Sequence, residues 1–96
     1  MKIEFLPEAE AEFCVAAEFY EEREGGLGKR FRAEISEVCS TILAHPLLWS
    51  EREGGFRRVN CPVFPYYVAY FIRGSIVVIA AVAHGSQRPE YWKNRL

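Results

Sequence analysis

Two long β-rich runs, Phe64 to Ile72 and Ser75 to His84, are separated only by Arg73-Gly74, and little else in this chain constrains the fold so strongly. Val, Ile, Tyr, Phe and Ala dominate both runs, and Gly supplies the positive φ that a tight strand connection needs, so the pair reads as a β-hairpin. A two-residue turn at Arg73-Gly74 sets Ile72 opposite Ser75, Tyr70 opposite Val77, Val68 opposite Ile79 and Tyr66 opposite Ala81. Alternation then leaves both faces of both strands largely apolar. Strands of that kind belong in the middle of a sheet with each face covered by another element or by a partner.

The preceding half supplies the cover. Lys2 to Leu6 alternates polar and apolar for one short strand, and Pro7 stands where a helix can begin, because its missing N–H would be unpaired there anyway. Glu8, Glu10 and Glu12 favour the positive end of the helix dipole. Ala9, Phe13, Ala16, Ala17 and Tyr20 follow helical spacing until Gly25-Gly26 ends the run. Leu27, Phe31, Ile35, Val38 and Ile42 give a second helix that stops near His45, since Pro46 disfavours helical geometry in the residue before it. Two helices joined by a glycine pair make an αα-hairpin. Pro46 to Gly55 is the longest irregular stretch, and Phe56 to Asn60 reads as a further strand before Pro62 and Pro65 break the chain. The predicted fold is α+β: an N-terminal strand, an αα-hairpin packed on a small, mainly antiparallel sheet in the order β-α-α-β-β-β, and a short C-terminal segment. With 96 residues this is one domain, 1–96, and no internal repeat or linker divides it.

Composition excludes several classes of function. No apolar run reaches transmembrane length, and MKIEFLPEAEAEF is too acidic and too broken by Pro7 for a signal peptide, so a cytoplasmic location is expected. Cys14, Cys39 and Cys61 form no CxxC pair and leave an odd count, which fits small buried apolar residues better than a disulfide framework or a zinc site. Without any Asp a Ser-His-Asp arrangement is impossible, and no GxSxG, Walker, GxGxxG or HExxH pattern occurs. His45 and His84 have no carboxylate or cysteine at ligand spacing, so neither metal nor cofactor is expected. Charge is lopsided: residues 1–55 hold 12 Glu against 6 Lys and Arg, and residues 56–96 hold 1 Glu against 6, so a net −1 hides a net −6 and a net +5. A basic C-terminal part suits a polyanion or an acidic protein partner.

The polar residues worth singling out stand at strand ends: Arg57 and Arg58, then His84, Arg88, Tyr91 and Trp92. Alternation sends Arg57 and Arg58 to opposite faces, so one of them at most joins a site on one face. Taken alone, Arg58 reads equally as a surface arginine, and Tyr91 and Trp92 as a packing lid over the sheet.

The combination FRRV, FPYYVAY and IVVIAAVAHGSQRPEYW behind an αα-hairpin resembles the RelE/ParE superfamily of toxins from bacterial type II toxin-antitoxin systems, ParE (often named plasmid stabilisation protein) more than RelE. The resemblance covers nearly the whole chain, and the strand ending in His84 with Arg88, Pro89, Tyr91 and Trp92 is its most specific part. It implies Arg58 as a member of the characteristic set, with His84, Arg88, Tyr91 and Trp92 as further candidates for target binding or activity. One fold hosts two activities here. RelE-like members cut messenger RNA on the ribosome with Lys and Arg on the middle strands and an Arg and a Tyr near the C-terminus; ParE-like members poison DNA gyrase. This sequence has Tyr67 where RelE-like toxins carry a basic residue and Asn60 where a second Lys is expected. A metal-free nuclease needs cations against the developing phosphorane charge, so gyrase inhibition without catalysis is the favoured expectation. A ribosome-dependent endoribonuclease, the one reading with direct nucleic-acid contact, and an inactive antitoxin-binding homologue are the alternatives. The implied partner is a small antitoxin whose acidic or amphipathic C-terminal tail wraps the toxin in a hetero-oligomer, with Phe31, Arg57, Tyr67, Phe71 and Arg73 as its expected contacts.

Overall fold

The sheet is built outward from its hairpin. The computed structural model describes residues 1–96 and runs β1 (Lys2–Phe5), α1 (Pro7–Arg23), α2 (Leu27–Ala44), β2 (Arg57–Asn60), β3 (Tyr66–Arg73), β4 (Ile76–His84) and a 3-10 turn at Lys93–Arg95. Strand order is β1-β4-β3-β2, so the two apolar strands are central as their composition requires. β1 lies parallel to β4, and the other two pairings are antiparallel.

The hairpin register differs from the expected one. Its turn is Gly74-Ser75, with Arg73 opposite Ile76, Ile72 opposite Val77 and Tyr70 opposite Ile79. Gly74, at φ 61°, takes the first turn position rather than the second, which moves every pairing two residues along β4. Beyond Tyr70 the register slips again: Ala69 faces Ala81, and Ala80 is left over as a β-bulge. Val68 therefore meets Val82, and Tyr66 meets His84.

One face of the sheet carries the helices. Val59, Val68, Tyr70, Val77, Ile79 and Val82 pack against Ala9, Ala16 and Ala17 of α1 and Phe31, Ile35, Val38 and Ile42 of α2. Helix α1 begins with Pro7 in its first turn and carries Glu8 and Glu10 there, the charges its dipole favours. It ends at Arg23, and Glu21 bridges to the next helix by accepting the N–H groups of Gly26 (2.9 Å) and Gly28 (3.0 Å), donors that α2 itself leaves unpaired. Those bonds, that of Gly26 foremost, hold the Glu21 carboxyl below its ordinary value. Helix α2 stops at Ala44, one residue before His45, as Pro46 dictates.

The helices meet closely at Gly28, where an added Cβ would lie 2.4 Å from the Ala17 carbonyl oxygen and 2.8 Å from Glu21 Cβ. Glu34 of α2 also reaches the loop between β2 and β3, accepting the Val63 (3.1 Å) and Phe64 (2.8 Å) N–H groups. Tyr70 sends its hydroxyl proton to the Pro46 carbonyl at 2.6 Å, which anchors the long irregular stretch to the sheet.

The other face has no helix. Phe56, Tyr67, Ala69, Ala81 and Ala83 form a second apolar cluster, closed by Trp92 from the C-terminal segment. Trp92 is fully buried, meets the Phe56 ring edge-on at 4.7 Å, and donates its Nε1–H to the Tyr67 hydroxyl at 2.8 Å. The alanines of β3 and β4 make room for the indole.

The cysteines depart from the sequence reading. All three are free and only partly buried, with Cys39 and Cys61 packed against the core. Burial pushes the Cys39 thiol up to about 11; burial, followed by Glu34 and Cys39, pushes Cys61 up to about 12. Both stay protonated and unreactive at neutral pH.

Packing at Gly28 predicts that Gly28→Ala lowers stability by about 1–3 kcal/mol in urea denaturation, because backbone must move to admit the methyl. Gly25→Ala, whose Cβ has nothing nearer than 4.0 Å, leaves stability within about 0.5 kcal/mol of the parent. Trp92→Ala removes the whole cover of the second cluster and costs about 3–5 kcal/mol.

Candidate functional site

The strand pair β2–β3 places Arg58 and Arg57 on opposite faces, and their surroundings differ. Arg58 lies on the helix-free face, its guanidinium carbon 3.7 Å from the Tyr67 ring centroid and its Nε donating to Asn60 Oδ1 at 3.2 Å. It is half-buried by this stacking, and its two terminal nitrogens carry no bond within the protein. Tyr67 in turn holds Trp92 through its hydroxyl. Arg58, Tyr67 and Trp92 thus form one continuous stack, a cation on an aromatic platform braced from behind. A shallow depression beside it is lined by Arg58, Asn60, Pro65, Tyr67 and Gly85.

The remaining site candidates do not join that stack. His84 shares a face with Val82 after the bulge, so its ring meets Tyr66 edge-on at 5.0 Å in a groove beside α1, across the sheet from Arg58. Its Nδ1 accepts the Ser86 N–H at 3.0 Å, which leaves Nε2 to carry the proton of the neutral ring. Tyr91 sits at the sheet edge and gives its hydroxyl proton to Glu12 Oε2. Burial, then the Glu12 hydrogen bond and charge, push its phenol well above the ordinary value, so Tyr91 stays a proton donor at neutral pH. Arg88 is exposed on the segment between His84 and Tyr91. Trp92, being buried, supports the stack rather than presenting itself to a target.

The expected antitoxin contacts divide in the same way. Phe31 and Tyr67 are core residues at 0 % and 4 % exposure and present almost no surface of their own. Arg57 is half-buried and donates to the Trp49 carbonyl at 2.6 Å, so it holds the irregular stretch onto β2. Phe71 and Arg73 remain at the surface, the guanidinium 5.2 Å from the ring.

What the sequence reading missed is a second apolar stripe on α1. Val15 and Phe19 are exposed, and with Ala16, Tyr20, Tyr66 and Val82 they line a groove between α1 and the free end of β4. The i,i+4 spacing of Val15 and Phe19 was the available signal, and a helix with apolar residues on two sides buries only one against its own sheet. Glu12 closes one end of this groove and His84 with Gln87 lines another part of it.

The ParE toxin of type II toxin-antitoxin systems, parDE, describes a family whose pattern matches residues 3–89, and this chain belongs to it. The fold agrees with a chain of the chromosomal ParDE toxin-antitoxin system from P. aeruginosa: TM-score 0.67 at 13 % identity, covering 88 % of this chain and 95 % of that one. No curated protein matches the sequence. No helix is long and apolar enough to cross a membrane, and no group of His, Cys or Glu is placed to hold a metal ion.

The two arginines are expected to separate function from support. At matched expression Arg58→Ala lowers toxicity and leaves the melting curve in place. Arg57→Ala lowers stability by about 1–2 kcal/mol through the lost Trp49 bond, with toxicity falling only as far as the folded fraction does. Growth assays and thermal melts on the two variants check both halves.

Proposed function

We propose that this ParE-family chain is a cytoplasmic toxin that inhibits DNA gyrase by binding and is neutralised by a cognate antitoxin. The observation that carries the reading is the separation of Arg58 from any proton-transfer partner. Cleavage of RNA at a ribose 2′-OH needs a base and an acid on either side of one phosphate, with cations between them. Arg58 is paired with Asn60 and Tyr67, while Tyr91 faces Glu12 at the sheet edge and His84 lies across the sheet. A lone guanidinium on an aromatic platform suits recognition of an acidic or polar protein surface. Arg88, exposed on the C-terminal segment, is a second cation open to a partner.

The antitoxin tail, on this reading, lies in the groove between α1 and β4. Val15 and Phe19 offer it apolar contacts, while Glu18 and Glu22, exposed three residues after each, flank them on the same helix. An amphipathic segment with basic residues beside its apolar ones fits such a groove better than a purely acidic one.

Induction without antitoxin is expected to give a DNA-damage response and filamentation, and the purified chain to inhibit supercoiling by gyrase. Rapid translation arrest with cleaved messenger RNA would instead establish the ribonuclease alternative. Phe19→Arg is expected to keep toxicity and lose neutralisation by co-expressed antitoxin; loss of both together counts against the groove.

A further inference from the structure

β1 is four residues long and β4 nine, so half of β4 has no neighbour on that side. The last rung is the Leu6 N–H on the Ile79 carbonyl at 2.9 Å. Beyond it the Ala80 carbonyl and the Val82 N–H point outward, groups an edge strand normally leaves open to another chain. Here both are taken by side chains. Arg95 Nη1 donates to the Ala80 carbonyl at 3.1 Å, and Glu12 Oε1 accepts the Val82 N–H at 3.1 Å. The same two groups meet each other fork to fork, Arg95 Nη1 to Oε1 and Nη2 to Oε2, each at 3.1 Å. Their side chains are 17 % and 20 % exposed, shielded enough for the geometry to matter. Tyr91 adds a fourth bond to Glu12.

We propose that Glu12 is the positioning residue for the C-terminal segment: with Arg95 it replaces the missing rung of β4 and thereby fixes where Trp92 and Arg88 lie. The segment is held at Tyr91 and Arg95, residues on either side of Trp92, so the indole between them is delivered to the far face in one place. Release of the Glu12 end takes from Tyr91 its bond and leaves Arg95 only its single bond to the Ala80 carbonyl, so both flanks loosen at once. Tyr67, which Trp92 braces, then loses its partner, and with it the platform under Arg58. The functional consequence rests on the reading of Arg58 and Arg88 as the target-facing cations.

Glu12→Gln in a Trp49→Phe background makes Trp92 the one indole reporter. Red-shifted emission and a several-fold rise in acrylamide quenching are expected, with far-UV circular dichroism retained and toxicity reduced several-fold. The reciprocal double substitution, Glu12→Arg with Arg95→Glu, restores an ion pair but offers a donor to the Val82 N–H and an acceptor to the Ala80 carbonyl; it is expected not to rescue either readout. Should Glu12→Gln fail to fold, Arg95→Ala, which leaves the Glu12 bond to Val82, is expected to show the same quenching.

Unchanged quenching in Glu12→Gln overturns the proposal, as does rescue by the reciprocal pair, since a simple ion pair would then suffice. Full toxicity with a released indole, or unfolding of both single variants, removes the positioning role as well. A parent chain that is toxic without touching gyrase would sink the gyrase reading and leave these outcomes unaffected.

Discussion

β3 and β4 are apolar on both faces, and every other part of the molecule answers to that. A sheet of four strands with one helical hairpin buries one side only; the second needs its own cover, and the chain provides it with a single tryptophan on a short irregular segment. An indole removes on the order of 200 Å² from water, worth about 5 kcal/mol as an upper figure, which is comparable to the net stability of a domain this small. The polar end of that indole is satisfied by Tyr67, and the face of Tyr67 carries Arg58. Stability and surface chemistry therefore meet in one side chain, so neither side of Tyr67 is free to vary alone.

Three glutamates on the helices share a structural task. Glu12, Glu21 and Glu34 each accept backbone N–H groups from a different segment: the free end of β4, the start of α2, and the loop before β3. A carboxylate accepts two or more such bonds without the geometric demands of a paired strand, which suits it to places where regular structure stops. The acidic first half of the chain is thus not simply a solvated surface. Part of its charge is spent on orphan donors.

The legible part of the fold was what periodicity carries. Helical spacing of Phe31, Ile35, Val38 and Ile42 located α2, Pro7 and Pro46 set the outer ends of the two helices, and alternation put Arg57 and Arg58 on different faces. Pairing was less legible, because Arg73-Gly74 and Gly74-Ser75 both satisfy a two-residue turn and composition does not choose between them. The site suffered for the same reason. His84, Arg88, Tyr91 and Trp92 are neighbours in sequence but fall on two faces and an edge, since a strand, a tight turn and a 3-10 turn each redirect the side chains. Arg58 was identifiable only through family resemblance, and Glu12 had no signal at all: a glutamate in the first turns of a helix reads as a dipole partner, whatever else it touches.

The bulge at Ala80 has a consequence for how β4 encodes information. Up to Ile79 the odd-numbered positions face the helices, and from Ala81 the even-numbered ones do. The strand is written in two reading phases, with Ala80 as the frame change. Its Val82 and His84 look toward α1, and its Ala81 and Ala83 make a floor low enough for an indole. Flattening the bulge while keeping all nine residues would exchange the two surfaces beyond it, lifting a valine and a histidine under Trp92 and leaving alanine-sized gaps beneath the helices, whereas deleting Ala80 itself would restore plain alternation and leave every later side chain on its present face. The extra residue is therefore tolerable only as long as the bulge absorbs it.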